Sequence, residues 1–149
     1  VTLTPEDLEQ LREKYRLLIE LREARDQLHA AGRLAFDTNA GADRRARMKA
    51  LAGRFPGALR ELEHATAEQL RRREEALRFA RETGVVEPWM EATAFFHRVL
   101  RETLRARLSH PQRPASGRIL DAVWTTVGER LGITAAEAER LVYPESHLE

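Results

Sequence analysis

From Thr4 to Leu28 the apolar residues recur every three or four positions, a period that a helix satisfies and a strand does not. Leu8, Leu11, Tyr15 and Leu18 form one stripe, and Leu17, Leu21, Ala24 and Leu28 form a second beside it. Together they give a face wide enough to need more than one neighbouring helix. Arg22 and Arg25 interrupt the simple heptad, which favours packing in a globular bundle over a long two-stranded coiled coil. The start of this helix is also marked: a Thr4 hydroxyl cap, Pro5 where a missing N–H is harmless, then Glu6 and Asp7 at the positive end of the dipole. The same bias runs through the chain, since Arg, Ala, Leu, Glu and Lys supply 86 of its 149 residues. That composition excludes sandwiches, barrels and doubly wound sheets and predicts an all-α, compact helical bundle of about six or seven helices.

The remaining elements follow from start and stop signals. The first helix ends at Gly32, and the turn-rich run from Gly32 to Asp43 is expected as a loop pinned by Leu34 and Phe36. A second helix is expected from Asp43 to Ala52, and a third starts with Pro56 in its first turn. Thr66-Ala67-Glu68-Gln69 fits a capping box opening a fourth, which Gly84 ends. Pro88 opens a fifth whose apolar residues cover much of its circumference, as a central helix requires. The prolines and glycine of residues 110–118 read as a linker between a main bundle, 1–109, and a C-terminal helical hairpin, 119–149, packed on it as one domain. The hairpin's helices are expected over Ile119–Leu131 and Ala135–Val142. The expected core is Leu11, Leu18, Phe79, Trp89, Phe95, Phe96, Leu100, Leu104, Ile119, Leu120 and Trp124.

Charge excludes a global polyanion reader, because 25 basic side chains face 24 acidic ones. Two stretches are locally basic: residues 43–60, with Arg44, Arg45 and Arg47 as the densest cluster, and residues 98–118. On one side of a bundle they would form an anion-binding face; otherwise they are solvated helix faces paired with glutamates. The excess of Arg over Lys, 23 to 2, matches the coding bias of a GC-rich bacterial genome better than a demand for phosphate contacts. No cysteine is present, and no run approaches the roughly 20 apolar residues of a membrane span. The chain therefore reads as soluble and cytoplasmic, with no membrane partner.

Val127 to Leu141, VGERLGITAAEAERL, places small Gly128 where two helices meet, Gly132 in the turn, and Leu131, Ile133, Ala138 and Leu141 on inner faces. The segment resembles the core of the helix-turn-helix motif of bacterial DNA-binding proteins, over about a tenth of the chain. The resemblance implies Thr134 and Arg140 as contacts to nucleic acid. The charge pattern opposes it: residues 119–149 carry two bases, Arg130 and Arg140, and six acids, with Glu137 and Glu139 on the presumed recognition helix.

Catalytic and metal chemistry find no motif. Glu61-x-x-His64 has the spacing that sets a carboxylate and an imidazole on one helix face, but a di-iron bundle needs a second such pair, and none occurs. His97 has no nucleophile or orienting carboxylate near it in sequence and reads as a core or boundary histidine. No cofactor, no metal and no catalytic residue is expected. The leading expectation is a small helical protein-interaction module, self-associating through Leu17, Leu21 and Leu28. The alternative is a DNA-binding transcriptional regulator that uses the C-terminal pair, with Arg44, Arg45 and Arg47 on phosphates.

Overall fold

The computed structural model describes residues 3–31, 39–109 and 117–144, which form seven α-helices and no strand. They are α1 (Pro5–Ala31), α2 (Asn39–Arg54), α3 (Ala58–His64), α4 (Ala67–Thr83), α5 (Pro88–Ser109), α6 (Gly117–Leu131) and α7 (Ala135–Val142). The protein is all-helical, as its composition requires. No helix among the described residues is long and apolar enough to cross a membrane. Leu34 and Phe36, and residues 110–116 of the expected linker, lie outside the described residues.

Local chemistry explains most boundaries. Asp7 N–H donates to Thr4 Oγ1 at 3.1 Å and Thr4 N–H returns a bond to Asp7 Oδ2 at 3.0 Å, so two orphan donors at the start of α1 are met. The same reciprocal box opens α4, with Gln69 N–H on Thr66 Oγ1 at 3.2 Å and Thr66 N–H on Gln69 Oε1 at 2.8 Å. The boundaries of three helices differ from expectation, and one of them, α6, begins at Gly117, inside the expected linker. α2 begins at Asn39, inside the expected loop, and runs through Gly53 to Arg54. Pro56 sits in a turn rather than in the first turn of α3, because Gly57, at φ 86°, takes the N-cap position.

The chain divides into two compact units, residues 9–83 and residues 84–149 with 1–8. This differs from the expected boundary after residue 109: α5 groups with α6 and α7. The reason is aromatic. Phe96 of α5 stacks on Trp124 of α6 with ring centres 4.2 Å apart and planes within 9°, and Tyr143 meets both rings edge-on. Val99, Val127, Ala138 and Val142 complete that core. In the other unit α1 supplies Leu11, Tyr15, Leu18, Leu21 and Leu28, against Leu51, Phe55, Leu62, Leu70 and Leu77.

Leu11, Leu18, Phe95, Phe96, Leu100 and Trp124 are buried as expected, and Trp89 and Ile119 are half-buried. Three expected core residues are exposed instead: Phe79, Leu104 and Leu120. Phe79 stands two residues from buried Leu77, about 200° around the helix, and so faces away from the stripe of Leu70, Leu77 and Ala80. Leu104 lies one turn past Leu100 and Leu120 one turn before Trp124, both toward the α5–α6 connection and beyond the last buried layer.

Candidate functional site

The densest chemistry among the described residues lies inside the 9–83 unit. Lys14 of α1 is 0% exposed and Glu61 of α3 is 1% exposed, and Lys14 Nζ lies 2.7 Å from Glu61 Oε2. The neighbouring Tyr15 donates its hydroxyl to Glu61 Oε1 at 2.8 Å. Arg73 of α4 donates from one guanidinium nitrogen to the Tyr15 oxygen at 2.8 Å and to Glu61 Oε1 at 3.2 Å. Three side chains, two from α1 and one from α4, thus converge on the Glu61 carboxylate of α3. Burial, and then the Glu61 charge, push the Tyr15 hydroxyl well above its ordinary pKa, so it remains a protonated donor. Arg22 adds a bond from its guanidinium to the Leu62 carbonyl at 2.9 Å.

Around this centre α1 presents a row of glutamates to arginines of its neighbours. Glu9 pairs with Arg81 at 2.6 Å, Glu13 with Arg54, Glu20 with Arg47 and Glu23 with Arg71. The basic stretch of α2 is therefore partly neutralised by α1. Of the expected anion contacts, Arg47 is engaged by Glu20, Arg44 is half-buried and Arg45 is exposed. Of the expected association stripe, Leu21 is 1% and Leu28 7% exposed, with Leu17 half-buried. Those leucines are consumed by the core of their own unit and leave no open apolar strip.

In the other unit, α6 and α7 meet across a tight turn. Ile133 N–H donates to the Gly128 carbonyl at 2.9 Å, and Gly132 takes the left-handed φ of 73°. A Cβ on Gly128 would lie 2.8 Å from the Ile133 carbonyl oxygen, so only glycine allows this approach. Thr134 caps α7, accepting from Glu137 N–H at 3.1 Å, and Arg140 is exposed. Thr134 and Arg140 thus belong to a different unit from Arg44, Arg45 and Arg47. His97 is buried in α5 beside Phe96. Leu3, Glu91, Ala94, Phe95 and Arg98 line a shallow surface depression that encloses no cavity, and Arg98 pairs with Asp7.

Glu61 and His64 do not act together, since Glu61 turns inward while His64 is exposed. No group of three metal-ligating side chains occurs among the described residues. The polar cluster is itself sealed: only Arg73, at 15% side-chain exposure, reaches its edge, so Lys14, Tyr15 and Glu61 touch no solute in this conformation. Its chemistry is that of an internal ion network. Sequence reasoning missed Lys14, although the signal was there: it lies three residues after Leu11 and four before Leu18, on the apolar face. Comparison with family models, curated proteins and solved structures finds no match to this chain.

Proposed function

We propose that the chain is a helical protein-interaction module of the bacterial cytoplasm. The observation that carries this reading is what the surface leaves uncommitted. Arginines of α2 and α4 are held by glutamates of α1, whereas Phe79 stands 55% exposed. Val86, Leu59, Leu104 and Leu120 are exposed as well. Exposed apolar area supports contact with protein, and engaged guanidinium groups are poorly placed for a polyanion. Since Leu21 and Leu28 are buried, self-association would use these outer side chains instead. Light scattering across a concentration series tests it: a mass above that of the monomer at high micromolar concentration, lost in Phe79→Asp or Leu120→Asp with helicity intact, supports the reading. A monomer throughout removes self-association and leaves a different protein as the partner.

DNA binding through α6 and α7 is the second reading, favoured by the close turn at Gly128 and Gly132 with Ala138 buried beneath it. That turn reports tight helix packing, which many proteins without DNA share. Glu137 beside Arg140 on the exposed side of α7 weighs against it. Titration with duplex DNA decides the matter. Binding that falls steeply between about 50 and 200 mM salt, and is lost in Arg140→Ala, would replace the first reading with this one.

A further inference from the structure

We propose that the 9–83 unit carries both halves of a head-to-tail contact, in which the outer face of α4 on one molecule docks on the outer face of α2 on the next. This rests on the self-association reading above and names its surfaces. The α4 face is acidic around one ring. Glu75, Phe79 and Glu82 follow at intervals of four and three residues, so they share a side of the helix, turned from the buried Leu70, Leu77 and Ala80. Phe79 is 55% exposed, and both carboxylates are exposed beside it. The neighbouring arginines are engaged within the helix, Arg72 by Glu68 and Arg78 by Glu74, each at 2.8 Å. Glu75 and Glu82 enter no ion pair among the described residues, so this face keeps two negative charges.

The α2 face is its counterpart. Arg45 and Lys49 stand one turn apart and exposed, with Ala46 exposed beside them, on the side of α2 turned from the buried Leu51 and Phe55. Arg47 and Arg54 are held by Glu20 and Glu13 of α1, whereas Arg45 and Lys49 enter no ion pair among the described residues. Asp43, the one acid of α2, lies about 160° around the helix from Arg45 and about 120° from Lys49, off this face. Each face lies opposite the stripe its helix packs into the unit, so one molecule cannot close the two on each other. Between two molecules, the Phe79 ring lies over Ala46 while Arg45 and Lys49 meet Glu75 and Glu82, with a cation free to cover the ring. Like faces repel: α4 on α4 sets carboxylate against carboxylate, and α2 on α2 sets cation against cation. The contact is therefore heterologous, and each docked pair of molecules still presents one unused half of either kind.

Two chains, each blocked on one face, test it by light scattering at high micromolar concentration. Phe79→Ser removes the ring from the α4 face, and Arg45→Glu with Lys49→Glu reverses the α2 face. All three positions are exposed, so far-UV helicity is expected to stay unchanged. The wild type is expected to exceed the monomer mass, and each variant alone to remain a monomer. Mixed in equal amounts, the variants are expected to give twice the monomer mass, because one intact α2 face and one intact α4 face remain between them. A mixture that stays monomeric while the wild type associates would overturn the proposal and leave the self-association reading standing on another surface. Association of either variant alone, as strong as that of the wild type, would overturn it in the same way. A wild-type monomer at every concentration would remove both.

Discussion

At the centre of residues 84–144, Phe96 lies flat on Trp124 at 4.2 Å and Tyr143 closes against both rings. At comparable depth in residues 9–83 sit Lys14, Glu61 and the hydroxyl of Tyr15. Both are all-helical cores built from the same leucine- and alanine-rich vocabulary, yet uniqueness is reached by different physics. Rings define an arrangement through shape and volume, so that core should respond to lost atoms. Ions define it through directed bonds in a desolvated place, so that core should respond to lost charge.

The largest effects should separate the two. Phe96→Ala removes a stacked ring from a closed core and is expected to reduce stability by about 3–5 kcal/mol in denaturant titrations. Glu61→Leu keeps the apolar volume but leaves Lys14 buried without its carboxylate, with an expected loss of about 3–5 kcal/mol. Adding Lys14→Met and Arg73→Met to Glu61→Leu should recover most of that loss, whereas no polar partner exists whose removal would rescue Phe96→Ala. Equal, unrescued losses in both units would erase the distinction.

The next effect is confined to the α6–α7 turn. Gly128→Ala forces a methyl group to 2.8 Å from the Ile133 carbonyl oxygen, a backbone atom fixed by its own turn, and overpacking of this kind costs about 1–3 kcal/mol. An unchanged midpoint would mean that the turn yields readily, and would weaken the geometric case for a DNA-reading hairpin. A substitution at exposed Arg140 is the matched control, with an expected change within about 0.5 kcal/mol.

What could be read in the sequence follows the same divide. The caps at Thr4 and Thr66 and the start at Pro88 are local chemistry, and the helices begin there. The α6–α7 hairpin could be read because its two glycines and inner apolar residues lie within fifteen positions. The ion network could not be read as a whole, because it joins α1, α3 and α4 and none of its members carries a motif. Lys14 was hidden by its charge, which ordinarily marks a surface. Phe79 was hidden in the opposite sense: an aromatic residue predicts burial, but its angular position on α4 turns it outward. The grouping of α5 with α6 and α7 depends on Phe96 meeting Trp124, a contact that periodicity within either helix does not specify.

Tyr15 sharpens the comparison through pH. Burial and Glu61 raise its pKa above the ordinary tyrosine value of about 10. Above that pH the unfolded chain releases the proton while the folded protein holds it. The stabilisation is thus complete below about pH 10 and is lost as pH rises through the folded value. Denaturant titrations at pH 8, 10 and 11 should show wild-type stability falling along this limb. Tyr15→Phe should start lower at pH 8 and fall less steeply. Parallel limbs would show that Tyr15 ionisation does not couple to folding.

The smallest effect concerns the rim of the 9–83 unit. Arg47 and Glu20 pair with about half of each side chain in solvent, so water screens the attraction and ordering two long side chains opposes it. Arg47→Gln is expected to reduce stability by no more than about 1 kcal/mol at low salt. At about 1 M salt, where the screening length falls to roughly 3 Å, the difference should vanish. Glu61→Leu should behave otherwise, because ions reach a sealed site poorly and its loss should survive in high salt. The contrast fails if both losses respond to salt alike, since Lys14 and Glu61 would then be exchanging with solvent and the inner network would be no different in kind from the outer row. If instead Arg47→Gln alone loses its effect, while leaving any weak association with duplex DNA unchanged, Arg47 is a partner of Glu20 and not a phosphate contact.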